Sequence, residues 1–429
     1  MENRYDKYKD SGIEWIGEIP EHWSKNKIIR LFTIIGSGTT PKSSKEDNYN
    51  GSINWIQSGD INGGYIETCK NTISDIAFKE YPALKIYKAP FIIVAMYGAS
   101  VGNISISQVD GCVNQACCVM NETNQNFKYL FYAMNSVKRY LIYRAEGGGQ
   151  PNISQDKIKN TWLPIPPLPE QQSIATYLDQ KCGEIDELIA LQEEMITKLQ
   201  SYKQSVITEA VTKGLDKNAP LKDSGIEWIG EIPEHWDICQ LKRCSRFING
   251  YAFNSNHFDK DYGVPVIRIG DIVDEQVSFE NIVYVQENNE LERFIVHKND
   301  ILIAMSGATV GKIGIYYAEN KAYINQRVGI IRTAQYNFIK RMFATHGFID
   351  YVILSSAGSA QPNISSDGIL NFYIPMPLIS EQQAIADYLD QKCGEIDELI
   401  SIKQQKIEKL KDYKKSLIFE CVTGKRKVC

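Results

Sequence analysis

Fourteen residues, DSGIEWIGEIPEHW, occupy Asp10–Trp23 and return unchanged at Asp223–Trp236, an offset of 213. A second stretch, YLDQKCGEIDELI, stands at Tyr177–Ile189 and again, letter for letter, at Tyr388–Ile400. Between these, shorter pieces recur in the same order. YGASVG at Tyr97–Gly102 answers to SGATVG at Ser306–Gly311, Asn114-Gln115 to Asn325-Gln326, and QPNIS at Gln150 to the same five residues at Gln361. The period is about half of the 429 residues, far too long for a solenoid. Whatever this chain folds into, it builds twice.

Each copy opens with a segment carrying two Trp and continues through a mixed region rich in Gly, Thr, Ile and Tyr. A Pro-rich hinge follows (LPIPPLP from Leu163, IPMPL from Ile374), and then a charged helix. The runs Phe91–Ala95 and Ile301–Ala304 read as buried strands ending at Gly turns, and Phe127–Arg144 as one helix with Leu130, Met134, Val137 and Leu141 on a face. After the hinge the apolar period becomes helical. In the first copy the stripe is Ile174, Leu178, Cys182, Ile185, Leu188, Met195, Leu199, Tyr202 and Val206; in the second it is Ile385, Leu389, Cys393, Ile396, Leu399, Leu410, Tyr413 and Leu417, with Glu and Lys outside. Such a stripe needs a partner helix. Pro169 and Glu170 suit a first turn, and Ser380 three residues before Gln383 suits a capping box. At about 1.5 Å per residue a helix from Glu170 to Lys213 is a rod of roughly 66 Å, and Gly183 and Gly394 are candidate bends. The organisation expected is a head at 1–168, a rod at 169–213, a second head at 214–378 and a second rod at 379–429.

Charge sharpens the division. The whole chain carries −5, which argues against indiscriminate coating of nucleic acid. Lys25–Leu168 has 15 Lys/Arg against 10 Asp/Glu, whereas Pro169–Lys213 has 4 against 8. Asp237–Ile379 has 13 against 14, so a polyanion would need a local patch there or help from a partner. The polar start MENRYDKYKD is unlike a secretory signal, and the strongest apolar run, Phe91–Met96, is too short to span a bilayer, so no membrane is expected and the compartment expected is the cytoplasm. Ten scattered cysteines read as free, mostly buried thiols, and His235, Cys239 and Cys244 lack the fourth ligand of a zinc site, so no metal is expected.

The repeated pieces flank segments that differ heavily. GSGTTPKSSKEDNYNGSINWIQSGDI after Ile35 aligns poorly with NGYAFNSNHFDKDYGVPVIRIGDI after Ile248. A common frame with distinct faces suits a two-headed reader of two different targets; drift of a duplicated fold would also have blurred the rods. GATVGKI at Gly307 resembles a phosphate loop but is one residue short and has no Ser or Thr after Lys312, so a strand-ending turn is expected. The PNIS pieces suit a turn capping the next helix through Asn152 or Ser154. His22 and His235 suit packing or capping, and no set of residues forms a catalytic constellation. For base reading, the side chains singled out are Thr39, Thr40, Lys42, Lys45 and Gln57 in the first copy, with Asn254, Arg268, Lys312 and Arg327 in the second.

Taken in order and given twice, SGIEWIGEIPEHW, the GDI turns, [YS]GA[ST]VG, QPNIS, the hinge before EQQ and LDQKCGEIDELI resemble the DNA-specificity subunit of a Type I restriction-modification system. The resemblance implies an α+β chain of two globular α/β target-recognition domains in tandem, separated by two long antiparallel coiled-coil helices with a pseudo-twofold repeat. Each domain would read one half of a bipartite, asymmetric site in double-stranded DNA. The rods would hold two methyltransferase subunits, with motor-nuclease subunits joining. It also implies a non-catalytic chain with no cofactor of its own, S-adenosylmethionine, ATP and Mg belonging to the partner subunits. The alternative from another class is a coiled-coil scaffold whose heads bind proteins.

Overall fold

The computed structural model describes residues 4–145, 151–356 and 362–428. They form two compact units, one of Met1–Gln192 with Gln405–Cys429 and one of Glu193–Gln404. Two long helices, Leu168–Lys213 and Ile379–Val422, are the rods. Each rod therefore begins in one unit and ends in the other.

In the first unit the apolar run Phe91–Ala95 is wholly buried and pairs antiparallel with Cys117–Asn121 on one side and Ile104–Ser107 on the other. Ile34–Gly36 and Tyr65–Ile66 complete a five-stranded sheet. One face of it packs on the helix Phe127–Ser136 and on the rods, burying Ile92, Val94, Tyr129 and Met134 with Leu178 and Cys182 of the first rod and Leu417, Cys421 and Val422 of the second. Fully burying an aliphatic side chain of this size contributes about 1.5–3 kcal/mol. The second unit repeats the plan. Its six-stranded sheet runs Arg246–Asn249, Val328–Arg332, Ile301–Ala304, Ile313–Ile315, Gln276–Val277, Ile272–Val273. Its core joins Ile301, Ile303 and Phe338 to Ile385, Leu389 and Cys393 at the start of the second rod and to Val206, Ile207, Ala210 and Val211 at the end of the first. Head and rod are thus not separable cores: each head is completed by the last turns of the rod that starts in the other unit.

The opening segments anchor this arrangement. Tyr8–Asp10 pairs with Glu18–Pro20 in a short ladder that delivers Trp23 to the core, where its indole N–H donates to Glu170 of the first rod turn at 2.9 Å. Tyr5 donates to the same carboxylate at 3.0 Å and His22 Nε2 lies 2.6 Å away. Burial pushes the Glu170 carboxyl up, but the hydrogen bonds from His22, Trp23 and Tyr5 outweigh it and hold the group below its ordinary value. In the second unit Glu381 meets Trp236 at 3.3 Å and His235 at 3.0 Å, with the same downward result. Here is the physical reason that His22 and His235 recur: they tie the opening segment to the rod. The rods end on Gly214 and Gly424, both left-handed (φ +74° and +73°). A Cβ at Gly424 would come within 2.3 Å of Pro20, so the glycine both closes the helix and lets the opening segment approach.

Within each unit the two rod stretches run antiparallel. In the first, Arg426 lies against Tyr177 and Lys414 bonds both oxygens of Asp186 at 2.7 and 2.6 Å. In the second, Lys203 bonds both oxygens of Asp397 at 2.7 and 2.8 Å. Ile174, Leu178, Ile185, Ile385, Leu389 and Ile396 are buried as the stripe requires, and Leu199 and Leu410 are half-buried. Leu188 and Leu399 are not, at 43% and 47% exposed, and Met195, Tyr202 and Tyr413 are exposed as well. A four-residue step from Ile185 lands on Ile189, and it is Ile189 that packs on the core.

Other expectations change in detail. Phe127–Arg144 is two helices, Phe127–Ser136 and Lys138–Tyr143. Asn135 and Ser136 turn their side chains back onto the carbonyls of Phe131 and Ala133, competing with the helix ladder. Ser380 sits inside its helix, and the back-reaching carboxylate is Glu381, which accepts from Leu378 N at 3.3 Å. Both rods run unbroken through Gly183 and Gly394, where an added Cβ would meet open space. The hinges enter two-stranded ladders: Trp162–Ile165 pairs with Ser24–Lys27, and Tyr373–Met376 with Asp237–Gln240. A proline is tolerated in so narrow a ladder. Among the described residues the nine cysteines are free and no helix is long and apolar enough to cross a membrane.

Candidate nucleic-acid interface

The short repeated motifs converge at the ends of the central strands of each large sheet. Strand Cys112–Val113 runs parallel to Tyr49–Ile56, so the Asn-Gln turn after the first and the GDI turn after the second leave together. Asn114 N donates to Ile56 O at 3.1 Å, Met96 N to Ala116 O at 2.8 Å, and Ile153 N to Met96 O at 2.9 Å. The second head copies each bond: Asn325 N to Ile267 O, Met305 N to Arg327 O and Ile364 N to Met305 O, all at 2.9 Å. These motifs are therefore backbone stitching, and the asparagines add side-chain bonds to it: Asn114 Oδ1 accepts from Ala116 N at 3.0 Å and Asn325 Oδ1 from Gln326 N at 2.7 Å. GATVGKI is a strand-ending turn after Ile301–Ala304, as expected. Ser154 and Ser365 cap the helices Gln155–Lys159 and Ser366–Leu370; Gln150 and Gln361 lie outside the described residues.

The divergent segments form a separate layer beside this edge. In the first head it is a three-stranded sheet, Cys112–Val113, Tyr49–Ile56 and Thr72–Ile73, with the short helix Asp75–Glu80. It has a small core of Trp55, Ile73, Ala77, Leu84 and Cys112. The second head has a four-stranded sheet, Val283–Val285, Val264–Ile267, Ala322–Ile324 and Ile295–Val296, around Val264, Val266, Leu291, Phe294 and Tyr323. Each layer follows a glycine that crosses the Asn-Gln turn. A Cβ at Gly38 would fall 1.7 Å from Val113 O, and one at Gly250 2.0 Å from Asn325 O, so no other residue fits either crossing.

The singled-out residues fare differently. Thr39 and Thr40 lie on the loop beyond Gly38; Thr39 O accepts from Trp55 Nε1 at 3.3 Å, and the exposed Thr40 hydroxyl bonds Gln115 Oε1 at 2.5 Å. Lys42 is exposed, its backbone N held by Tyr81 at 3.1 Å. Lys45 is spoken for: Glu80 lies 2.7 Å from it and pushes its ammonium above the ordinary value. Gln57 and Arg268 are equivalent positions in the GDI turns, and both are tied inward. Gln57 N donates to Asp60 at 2.8 Å, and Arg268 grips Asp271 at 3.1 and 3.2 Å and Asn281 O at 2.6 Å. Asn254 caps a short turn by accepting from Asn256 N at 3.0 Å. Lys312 and Arg327 are exposed, on the strand-ending turn and the Asn-Gln turn respectively. The arrangement brings Thr40 to Gln115, with Thr39 and Lys42 on the same loop, and places Arg327 on the turn that faces Gly250. Gln115, which stands in a repeated Asn-Gln pair, is not among the residues singled out by type and position. Among the described residues no group of three or more His, Cys, Asp or Glu gathers as a metal site.

The sequence profile of the Type I restriction modification DNA specificity domain matches residues 20–200 and 233–412. The Type I restriction enzyme MjaVIII specificity subunit of Methanocaldococcus jannaschii is 26% identical over 423 residues, covering 96% of this chain and 94% of its own. The EcoBI specificity subunit of Escherichia coli is 25% identical over 434 residues, covering 97% and 88%. Among solved structures, a chain from work on complex assembly and conformational transition of the type I R-M system superposes with a TM-score of 0.72 at 16% identity, over 94% of this chain and 98% of that one. The HsdS subunit of Thermoanaerobacter tengcongensis gives 0.50 at 17% identity, over 95% and 98%.

Proposed function

This chain belongs to the Type I restriction modification DNA specificity family, and on that premise we propose that each of its heads reads one half of a bipartite, asymmetric site in double-stranded DNA. The chain is a DNA-sequence specificity subunit. It brings no catalytic residues; two methyltransferase subunits seated on the rods carry S-adenosylmethionine, and motor-nuclease subunits that use ATP and Mg join them in the cytoplasm. The scaffold alternative is not favoured by the family match.

One observation carries the reading: in both heads the repeated letters are spent on internal stitching, while the divergent letters form a layer of their own beside it. Sequence readers need varied polar side chains on a fixed support. Replacing Lys25–Leu168 by the corresponding head of a relative, then mapping methylated adenines in host DNA, tests it. The expected result is one altered half-site with the other half intact. Alteration of both halves, or of neither, overturns the modular reading.

A further inference from the structure

The second head is slightly acidic overall, yet it concentrates arginines at one place. Arg246 stands directly opposite Arg332 on adjacent antiparallel strands. The matching cross-strand pair in the first head is Ile34 opposite Asn121. Like charges placed opposite each other are destabilising, so this pair costs stability unless something neutralises it. Asp300, buried with 3% of its side chain exposed, neutralises only one member. Arg332 donates to its two oxygens at 2.8 and 2.6 Å and to Ile295 O at 2.9 Å. Arg246 and the neighbouring Arg243 are exposed and have no ion-pair partner among the described residues.

The three arginines line a cleft of about 570 Å³ together with Ser245, Thr333 and Gln335 and with no carboxylate in its wall. A second cleft of about 570 Å³ shares Arg246 and Arg332 and adds Arg293, whose guanidinium lies 4.5 Å over the Phe294 ring. Glu292 and Glu319 line that second cleft, and Glu319 is paired with Lys298. The surplus positive charge is therefore on the side of Arg243 and Arg246.

We infer that this arginine cleft is an anion site for the phosphodiester backbone of DNA, supplying the second head with the local patch its overall charge lacks. The inference rests on the reading that the heads bind DNA. Guanidinium forks match phosphate oxygens in pairs. Strand Val328–Arg332 starts at the Asn-Gln turn that carries Arg327 and ends at the cleft. Four residue steps span about 14 Å, comparable with the major-groove width of about 12 Å. One duplex is wide enough to touch the turn and the cleft together.

The test uses the full chain assembled with its methyltransferase subunits, and a duplex carrying the mapped site. Each phosphate contact contributes roughly 0.9 to the slope of log affinity against log salt. In the double variant Arg243→Gln, Arg246→Gln that slope should become shallower by roughly 2, while the methylated sequence stays the same. Arg246→Lys, which keeps the charge, should retain most of the wild-type slope. An unchanged slope in the intact double-variant complex overturns the assignment. Loss of the methyltransferase subunits from the double variant overturns it too, by making the cleft a protein surface. A wild-type complex that retains no duplex sinks the DNA reading itself, and this inference with it.

Discussion

The frames of the two heads and the layers beside them have been held to different standards. In the frames, Trp23 and Trp236 reach the same glutamate on their rods, the same backbone bonds join the same turns, and rod ends fill the same places in the cores. In the layers, three strands around Trp55 stand where the other head has four around Phe294 and Tyr323. A frame residue touches several elements at once, so its replacement disturbs all of them. A layer residue touches a small core of its own or solvent. The layer can therefore be rebuilt on an unchanged frame, provided the glycine crossing at Gly38 or Gly250 is kept.

The most severe way to break the comparison is to cut the chain after Lys217. The first core then loses Leu417, Cys421 and Val422. Val206, Ala210 and Val211 occupy the matching places in the second core, so the rod end of another truncated copy can fill the gap. The half-chain should dimerise with twofold symmetry and, with the methyltransferase supplied, modify a palindromic bipartite site. A folded half-chain that stays monomeric by light scattering would show that the rod ends are not interchangeable.

A smaller effect comes from Leu417→Ala, which removes a fully buried side chain from the first core. It should cost about 2–5 kcal/mol in denaturant unfolding, against about 0.5 kcal/mol or less for Leu399→Ala, whose side chain is 47% exposed. Equal losses would mean that Leu399 belongs to the rod seam as fully as Leu417 does.

Acid should release the opening segments. Glu170 and Glu381 lie below their ordinary range in the folded chain. The stability they contribute is complete above the unfolded value near about 4.3 and is lost as pH falls through the depressed values. Glu170→Gln should cost on the order of 1–3 kcal/mol near neutral pH and flatten the acid side of the profile for the first unit. A variant with the wild-type acid profile would remove Glu170 as the anchor.

The faintest contrast is between the two rod ion pairs. Asp186→Asn and Asp397→Asn should each cost less than about 1 kcal/mol, since one partner of each pair is well exposed. The cost should shrink further at 1 M salt. A loss above that in either unit would mark its pair as part of the core rather than of the surface.

How much of this was legible follows from where each signal lives. Phe91–Ala95 and Ile301–Ala304 read correctly because a continuous run of apolar, mostly β-branched residues has few other destinations. The single helix over Phe127–Arg144 did not survive, because the side-chain bonds of Asn135 and Ser136 are invisible to periodicity. Of the site residues, Thr40 and Lys42 could be placed on a divergent surface loop from pattern alone. Nothing local to Lys45 or Arg268 distinguishes them from these, and only the fold brings Glu80 and Asp271 to occupy them. Arg246 attracted no notice, since its meaning depends on the cross-strand neighbour Arg332, 86 residues away in the chain.

By itself the sequence determined that the molecule is built twice, that each copy pairs a mixed head with an amphipathic rod, and that the rods need partners. Those are consequences of repetition and period, which are properties of letters in order. Only the fold decided that each head is finished by the end of the rod that starts in the other unit, and that the repeated motifs are joined to one another by backbone bonds. It also decided which cations are left with charge to spare. Those outcomes depend on which distant groups meet, and a carboxylate such as Asp300 or Glu170 can satisfy a partner more than thirty or a hundred residues away without leaving any mark on the local pattern.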